Sequence, residues 1–190
     1  MHIWIDIDKA YEVPLIKALS QEILSRGHFL YITAQNSSNI IKALGENNLN
    51  AEIIGGYISF FGIFSHWSNL FRASLLSAYI ENQKIDIAFS LGSTPMVYSS
   101  TNQEISIILL IESYNEKANW LFFQLEKSYF LIPELVSEEQ FLEKGININR
   151  IAKYTGVIQK NNPDPSLKAI KDIANKIEAL SKVIPGKLLA

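Results

Sequence analysis

Short apolar runs rich in β-branched residues alternate with amphipathic stretches along this chain, and that alternation constrains its fold more than any other feature. His2-Ile3-Trp4-Ile5-Asp6-Ile7 reads as a buried strand. A helix follows over 12–26, with Val13, Leu15, Ile16, Leu19, Ile23 and Leu24 on one face. Pro14 falls in its first turn, where a missing N–H is harmless, and Gly27 stands just past its end. Phe29-Leu30-Tyr31-Ile32-Thr33 is a second strand. Strand, helix and strand within about thirty residues form a βαβ unit, which implies a parallel sheet with a right-handed crossover.

The pattern continues. Helices are expected over 38–44, 66–82, 95–100, 117–125, 138–143 and 165–183, with strands over 51–54, 85–90, 105–111, 129–132 and 151–154. Ile-Ser-Ile-Ile-Leu-Leu-Ile over 105–111 is the most apolar strand and should be central. Strands that read as unbroken apolar runs have both faces covered, so the fold class is α/β, three layers, a parallel sheet between helices. Residues 1–160 form that domain. Residues 161–190 are a linker, Asn161-Asn162-Pro163-Asp164-Pro165, and a carboxy-terminal helix capped by Asp164 or Ser166 that packs back on it.

Composition narrows the function. Lys+Arg is 17 against Asp+Glu 19, a net charge of −2, so no basic excess exists to neutralise the phosphates of a nucleic acid. With 48% hydrophobic and 19% charged residues the chain can bury a sizeable core, and its low charge fits a surface covered by a partner. Cysteine is absent, which removes disulfides, thiolate metal sites and a cysteine nucleophile. No stretch of ~20 strongly apolar residues could span a bilayer, and Met1 leads directly into a strand, so a cytoplasmic protein is expected, with peripheral membrane contact the one exception considered.

In an open parallel sheet, ligands bind beyond the carboxyl ends of the strands, where strand order reverses. Three groups should share that crevice: Asp6, Asp8, Lys9, Tyr11 and Glu12 after the first strand; Ser90-Leu91-Gly92-Ser93-Thr94-Pro95; and Glu112, Ser113, Tyr114 and Asn115. In the second group Gly92 permits a tight turn, and Ser93 or Thr94 can cap the next helix ahead of Pro95. The two read either as ordinary caps or as part of an anion site built on free N–H groups. Neither glycine-rich nucleotide fingerprint occurs. Asp6 and Asp8 form the D-x-D of a magnesium phosphatase nucleophile and acid, although a later acidic pair is missing and Asp6 can equally bond loop backbone. His28 reads as a turn residue, and no two histidines have metal spacing, so neither a metal nor a cofactor is expected. Tyr57, Phe60, Phe61, Phe64, Trp67 and Phe71 form an uncharged aromatic loop leading into a helix, read either as tucked core or as a docking surface.

Trp4-Ile5-Asp6-Ile7-Asp8, Arg26-Gly27-His28 before Ile32-Thr33-Ala34, Ser90-x-Gly92-Ser93, Ile132-Pro133-Glu134 and Tyr154-x-Gly156 together resemble the amino-terminal half of a prokaryotic, mostly archaeal, family known only as a domain of unknown function. That family is similar to UDP-N-acetylglucosamine 2-epimerases and GT-B glycosyltransferases. The resemblance implies a Rossmann-like, acceptor-side domain. It also implies a cleft lined by Asp8, Gly92, Ser93, Thr94, Ser113 and Asn115, with Glu12 or Glu112 as base. The family carries Pro-Pro-His where this chain has Ala10-Tyr11-Glu12, and a histidine at Leu91. Its Asp-Thr-Glu-His aligns with Glu112-Ser113-Tyr114-Asn115. The expectation is therefore one half of a nucleotide-sugar-dependent enzyme, or its degenerate remnant, inactive alone and completed by a separate chain supplying the nucleotide lobe. The alternatives are a non-enzymatic nucleotide-sugar or protein-binding module and the phosphatase. Expected partners are that second chain, a sugar nucleotide or lipid-linked acceptor, and a second copy of the chain, with Phe60, Phe61, Phe64 and Trp67 as the interaction loop.

Overall fold

The computed structural model describes residues 1–56, 65–112, 125, 127–156 and 166–184. The elements in chain order are β1 (His2–Ile7), α1 (Val13–Ser25), β2 (Phe29–Asn36), α2 (Ser38–Asn47), β3 (Glu52–Gly56), α3 (Ser65–Ile80), β4 (Ile87–Ser90), α4 (Thr94–Asn102), β5 (Ile107–Leu110), β6 (Ser128–Pro133), α5 (Glu139–Leu142), β7 (Ile151–Tyr154) and α6 (Leu167–Val183). A 3-10 turn, Ala10–Glu12, takes the first turn of the expected first helix. The expected linker over 161–165 and, Leu125 apart, the expected helix over 117–125 lie outside the described residues.

All described strand pairs are parallel, in the order β3-β2-β1-β4-β5-β6-β7. The chain runs outward from β1 to β3, then restarts on the other side of β1 with β4. The reversal therefore falls between β1 and β4, where Ile3 pairs with Leu30 on one side and Ile87 on the other. This is the Rossmann-like order, and its switch point opens a crevice above the carboxyl ends of β1 and β4. β4 holds the middle of the sheet and β5 stands beside it, one place from where apolarity alone put it. Both are fully buried; crossover order, not hydrophobicity, decides which is central.

The two-residue period of the strands sorts their side chains between two cores. Ile3, Ile5 and Ile7 join Leu15, Ile16 and Leu19 of α1 and Ile170, Ile173 and Ile177 of α6 on one face. Trp4 points the other way, into a core with Leu76 and Ile80 of α3, Met96 and Val97 of α4, and Phe141 of α5. Asp6, two residues on, lies on that second face as well. The last helix is held to the first core by polar contacts too. Arg26 donates to Glu22 and Asn175, and His28 Nε2 lies 2.9 Å from Glu178 Oε1. His28 is thus an anchor for α6 rather than a plain turn residue.

Candidate functional site

The crevice is built around Asp6, the residue of β1 that faces α3 at the carboxyl edge. Its side chain is fully buried, and both oxygens are filled by side chains rather than loop backbone. Oδ1 accepts from Thr33 Oγ1 at 2.7 Å and Arg72 Nη2 at 2.6 Å. Oδ2 accepts from Arg72 Nη1 at 2.8 Å and Ser93 Oγ at 2.5 Å. A carboxylate has about four acceptor positions, and all four are occupied. Asp6 therefore has no lone pair left to attack phosphorus or bind magnesium, and the D-x-D phosphatase reading does not fit this geometry. The network extends further. Trp4 Nε1 donates to Thr33 Oγ1 at 2.9 Å, and Arg72 Nε donates to the Ile54 carbonyl at 3.0 Å, so one guanidinium ties α3 to both β1 and β3.

The loop after β4 uses its own donors. Ser90 Oγ accepts from the Gly92 N–H at 3.0 Å and the Ser93 N–H at 2.7 Å. Ser93 Oγ then caps α4 by accepting from the Met96 N–H at 3.3 Å. Pro95 has no N–H to offer. Gly92 takes φ +114, and a Cβ there would meet nothing within 4 Å, so open space lies over the turn.

Carboxylates fill the rest of the edge. Glu12 is 1% exposed, and its Oε2 accepts from the Asp8 N–H at 2.9 Å and the Lys9 N–H at 3.2 Å, fastening the loop after β1. Its Oε1 has no hydrogen-bond partner and lies 3.7 Å from Lys9 Nζ. Burial raises its carboxyl from 4.5 to about 7; the Asp8 and Lys9 N–H groups and the Lys9 charge oppose this, and the Asp8 charge adds to it. Asp8 is also pushed up, by burial first and by the charge of Asp6 second, while Arg72 opposes. Glu112, half-buried after β5, raises both Tyr11 and Tyr154 behind the larger effect of burial on each phenol, so it stands near both. The Tyr154 hydroxyl, at the end of β7, is buried without a partner.

Asp8, Glu12, Gly92, Ser93, Thr94 and Glu112 thus share the carboxyl edge of one sheet. Ser113, Asn115, Phe60, Phe61 and Phe64 lie outside the described residues, and Trp67 is exposed on α3. Arg72 is the residue that reading by motif misses. Its signal was present: it is the one charge between Glu52 and Glu81. A lone charge in an apolar stretch needs a buried partner.

A parallel sheet in this order with its crevice at the β1–β4 switch defines a Rossmann-like α/β domain. The chain belongs to the family described as a protein of unknown function, DUF354, whose model matches residues 1–184. No curated protein matches it. Among solved structures it is similar to a UDP-GlcNAc 2-epimerase from Methanocaldococcus jannaschii, with TM-score 0.67 and 15% identity over 81% of this chain and 45% of that one. A UDP-GlcNAc 2-epimerase from Neisseria meningitidis, solved with UDP-GlcNAc bound, gives TM-score 0.63 and 13% identity over 81% and 46%. MurG from Acinetobacter baumannii gives TM-score 0.59 and 11% identity over 87% and 48%. The chain spans about half the length of each of these structures.

Proposed function

We propose that this domain is the acceptor-side lobe of a nucleotide-sugar-dependent enzyme of the glycosyltransferase or epimerase kind, working with a nucleotide-binding lobe supplied by a separate chain. The observation that carries this reading is the distribution of donors and acceptors at the crevice. The Gly92, Ser93 and Met96 N–H groups are already bonded within the loop, while Asp8, Glu12 and Glu112 bring carboxylates to the same edge. Such a surface accepts hydrogen bonds from hydroxyl groups and repels a pyrophosphate.

In this reading Asp8 receives the hydroxyls of a sugar-like acceptor against the open turn at Gly92. Glu112, half-buried, is the better placed base: it takes the acceptor proton as that oxygen bonds to the anomeric carbon and the nucleotide departs with the electron pair. Glu12 positions the loop carrying Asp8, and with its carboxyl near 7 it holds the proton in reserve at neutral pH. Gly92 and Thr94, both half-buried, complete the described part of the lining.

A thermal-shift titration of the chain with UDP alone and with a panel of monosaccharides and alkyl glycosides tests this. A ligand at a hundredfold excess over Kd adds about 2.7 kcal/mol of stability. The expected result is a sugar-dependent shift that Asp8→Asn and Glu112→Gln each remove. A shift with UDP alone, unchanged in Asp8→Asn, overturns the assignment to the acceptor side.

A further inference from the structure

Helix α3 is apolar on its outer side as well as its inner one. Its buried side carries Ser68 and Arg72 beside Ala73, Leu76 and Ile80, while its solvent side carries Trp67, Leu70, Phe71, Ser74, Leu75 and Ala78. Trp67 is 67% exposed and Phe71 52%. At 3.6 residues per turn these six positions fall in one band about 140° wide. No charged residue stands on it. A surface helix ordinarily carries charged and polar residues on that side, and a contiguous exposed apolar face marks a docking surface.

The spacing identifies what docks. Trp67, Phe71, Ser74 and Ala78 follow one another by four, three and four residues, the seam of a paired helix, and Leu70 and Leu75 flank it. Reversing the helix maps this seam onto itself. In an antiparallel pair centred between Arg72 and Ala73, Trp67 faces Ala78 and Phe71 faces Ser74, while Leu70 flanks Leu70 and Leu75 flanks Leu75 of the other copy. A large side chain meets a small one at every level of the seam. We infer that the occupant is a second copy of this chain, docked through an antiparallel α3–α3 contact about a twofold axis.

Self-complementarity of this kind is what an isologous contact requires. Charge points the same way. The cation of this helix, Arg72, is buried against Asp6, and the exposed Glu81, one residue past the helix end and in line with Leu70 and Ser74, brings a negative charge to the edge of the patch. An anionic bilayer or an acidic partner finds nothing to pair with there. The contact is independent of the reaction proposed for the crevice.

Sedimentation equilibrium up to about 100 μM and thiol cross-linking test it, since the chain has no cysteine and an introduced one is unique. The expected mass is twice 21.5 kDa, falling to 21.5 kDa in Ser74→Arg, an exposed position where the monomer tolerates the change. Phe71→Cys and Ser74→Cys should form a disulfide dimer when mixed, whereas Trp67→Cys, whose two copies stand about 16 Å apart along the axis, should not do so alone. Three results would overturn the contact: a wild-type mass of 21.5 kDa throughout, a dimer indifferent to Ser74→Arg, or efficient cross-linking of Trp67→Cys with itself. A monomer that instead co-sediments with phosphatidylcholine vesicles would assign the face to membrane and likewise overturn it.

Discussion

Arg72 lays its guanidinium flat against Asp6 across 66 residues of sequence, with Nη2 to Oδ1 at 2.6 Å and Nη1 to Oδ2 at 2.8 Å. Both groups are out of solvent. A buried pair of this kind is not by itself a large source of stability, because desolvation offsets much of the attraction. Its consequence is positional: α3, β1, β2 and the loop before α4 meet at one carboxylate, at the switch point of the sheet.

Removing one partner should be costly. Arg72→Met leaves Asp6 buried with an uncompensated charge, and about 3–5 kcal/mol of stability should be lost. Pairing it with Asp6→Asn should recover part of that loss, so the double variant is less destabilised than the sum of the singles. Urea denaturation of the four proteins measures this. Simple additivity would show that the two side chains do not act as a pair.

The contrast between Asp6 and Arg72 shows what the sequence carries. Strand-helix alternation places β1, β4 and β5, and with them Asp6, Asp8, Ser93 and Glu112, because it is a local signal repeated along the chain. The two-residue period of β1 also puts Trp4 and Asp6 on one face. Pairing across 66 residues is not local. It follows from strand order and from the crossover that sets α3 behind β3 and β1. His28 is a similar case: its partner Glu178 is 150 residues away, and an Arg-Gly-His turn looks complete without it. The exposed face of α3 escapes for another reason. A helix with aromatics on one side and Arg72 on the other reads as apolar side inward unless the partner of Arg72 is known.

Glu12 makes stability depend on pH in the direction opposite to an ordinary carboxylate. Its folded value of about 7 lies above the ordinary 4.5, so between these values the native state holds more protons than the unfolded chain. Stability therefore falls as pH rises through that window, by up to roughly 3 kcal/mol. Glu12→Gln keeps an acceptor for the Asp8 and Lys9 N–H groups and removes the charge. It should match wild type near pH 5 and exceed it near pH 8. Melting curves of both proteins across this range check the sign, and parallel curves would show that Glu12 ionises without cost.

Gly156 sits where β7 gives way to the segment before α6. Its φ is +107, and an added Cβ would stand 2.9 Å from the Ala169 Cβ of α6. Gly156→Ala combines backbone strain with a clash against a packed helix and should cost about 1–3 kcal/mol. Gly92→Ala shares the positive φ but meets open space, so it should cost less. Comparing their urea midpoints separates the clash from the strain, and equal midpoints would show that Ala169 yields.

The anchor of α6 should weaken in acid. The hydrogen bond from His28 holds the Glu178 carboxyl below its ordinary 4.5, and Arg26, with Nη1 3.3 Å away, adds to it. Burial pushes Asp172 up, but the Thr155 N–H and hydroxyl, each 2.7 Å from Oδ2, outweigh it and hold that group low as well. A depressed folded value means the contribution is complete above the unfolded value and disappears as pH falls through the folded one. Both pairs join α6 to the sheet side, so they should fail together below about pH 4. At neutral pH Glu178→Gln should lose no more than about 1 kcal/mol, because the pair is partly exposed to solvent. The double variant Asp172→Asn, Glu178→Gln should lose more at pH 7 and then show a flatter decline from roughly pH 5 to pH 3. Urea midpoints by circular dichroism across that range decide the matter, and an acid limb as steep as that of wild type would place the titrating groups elsewhere.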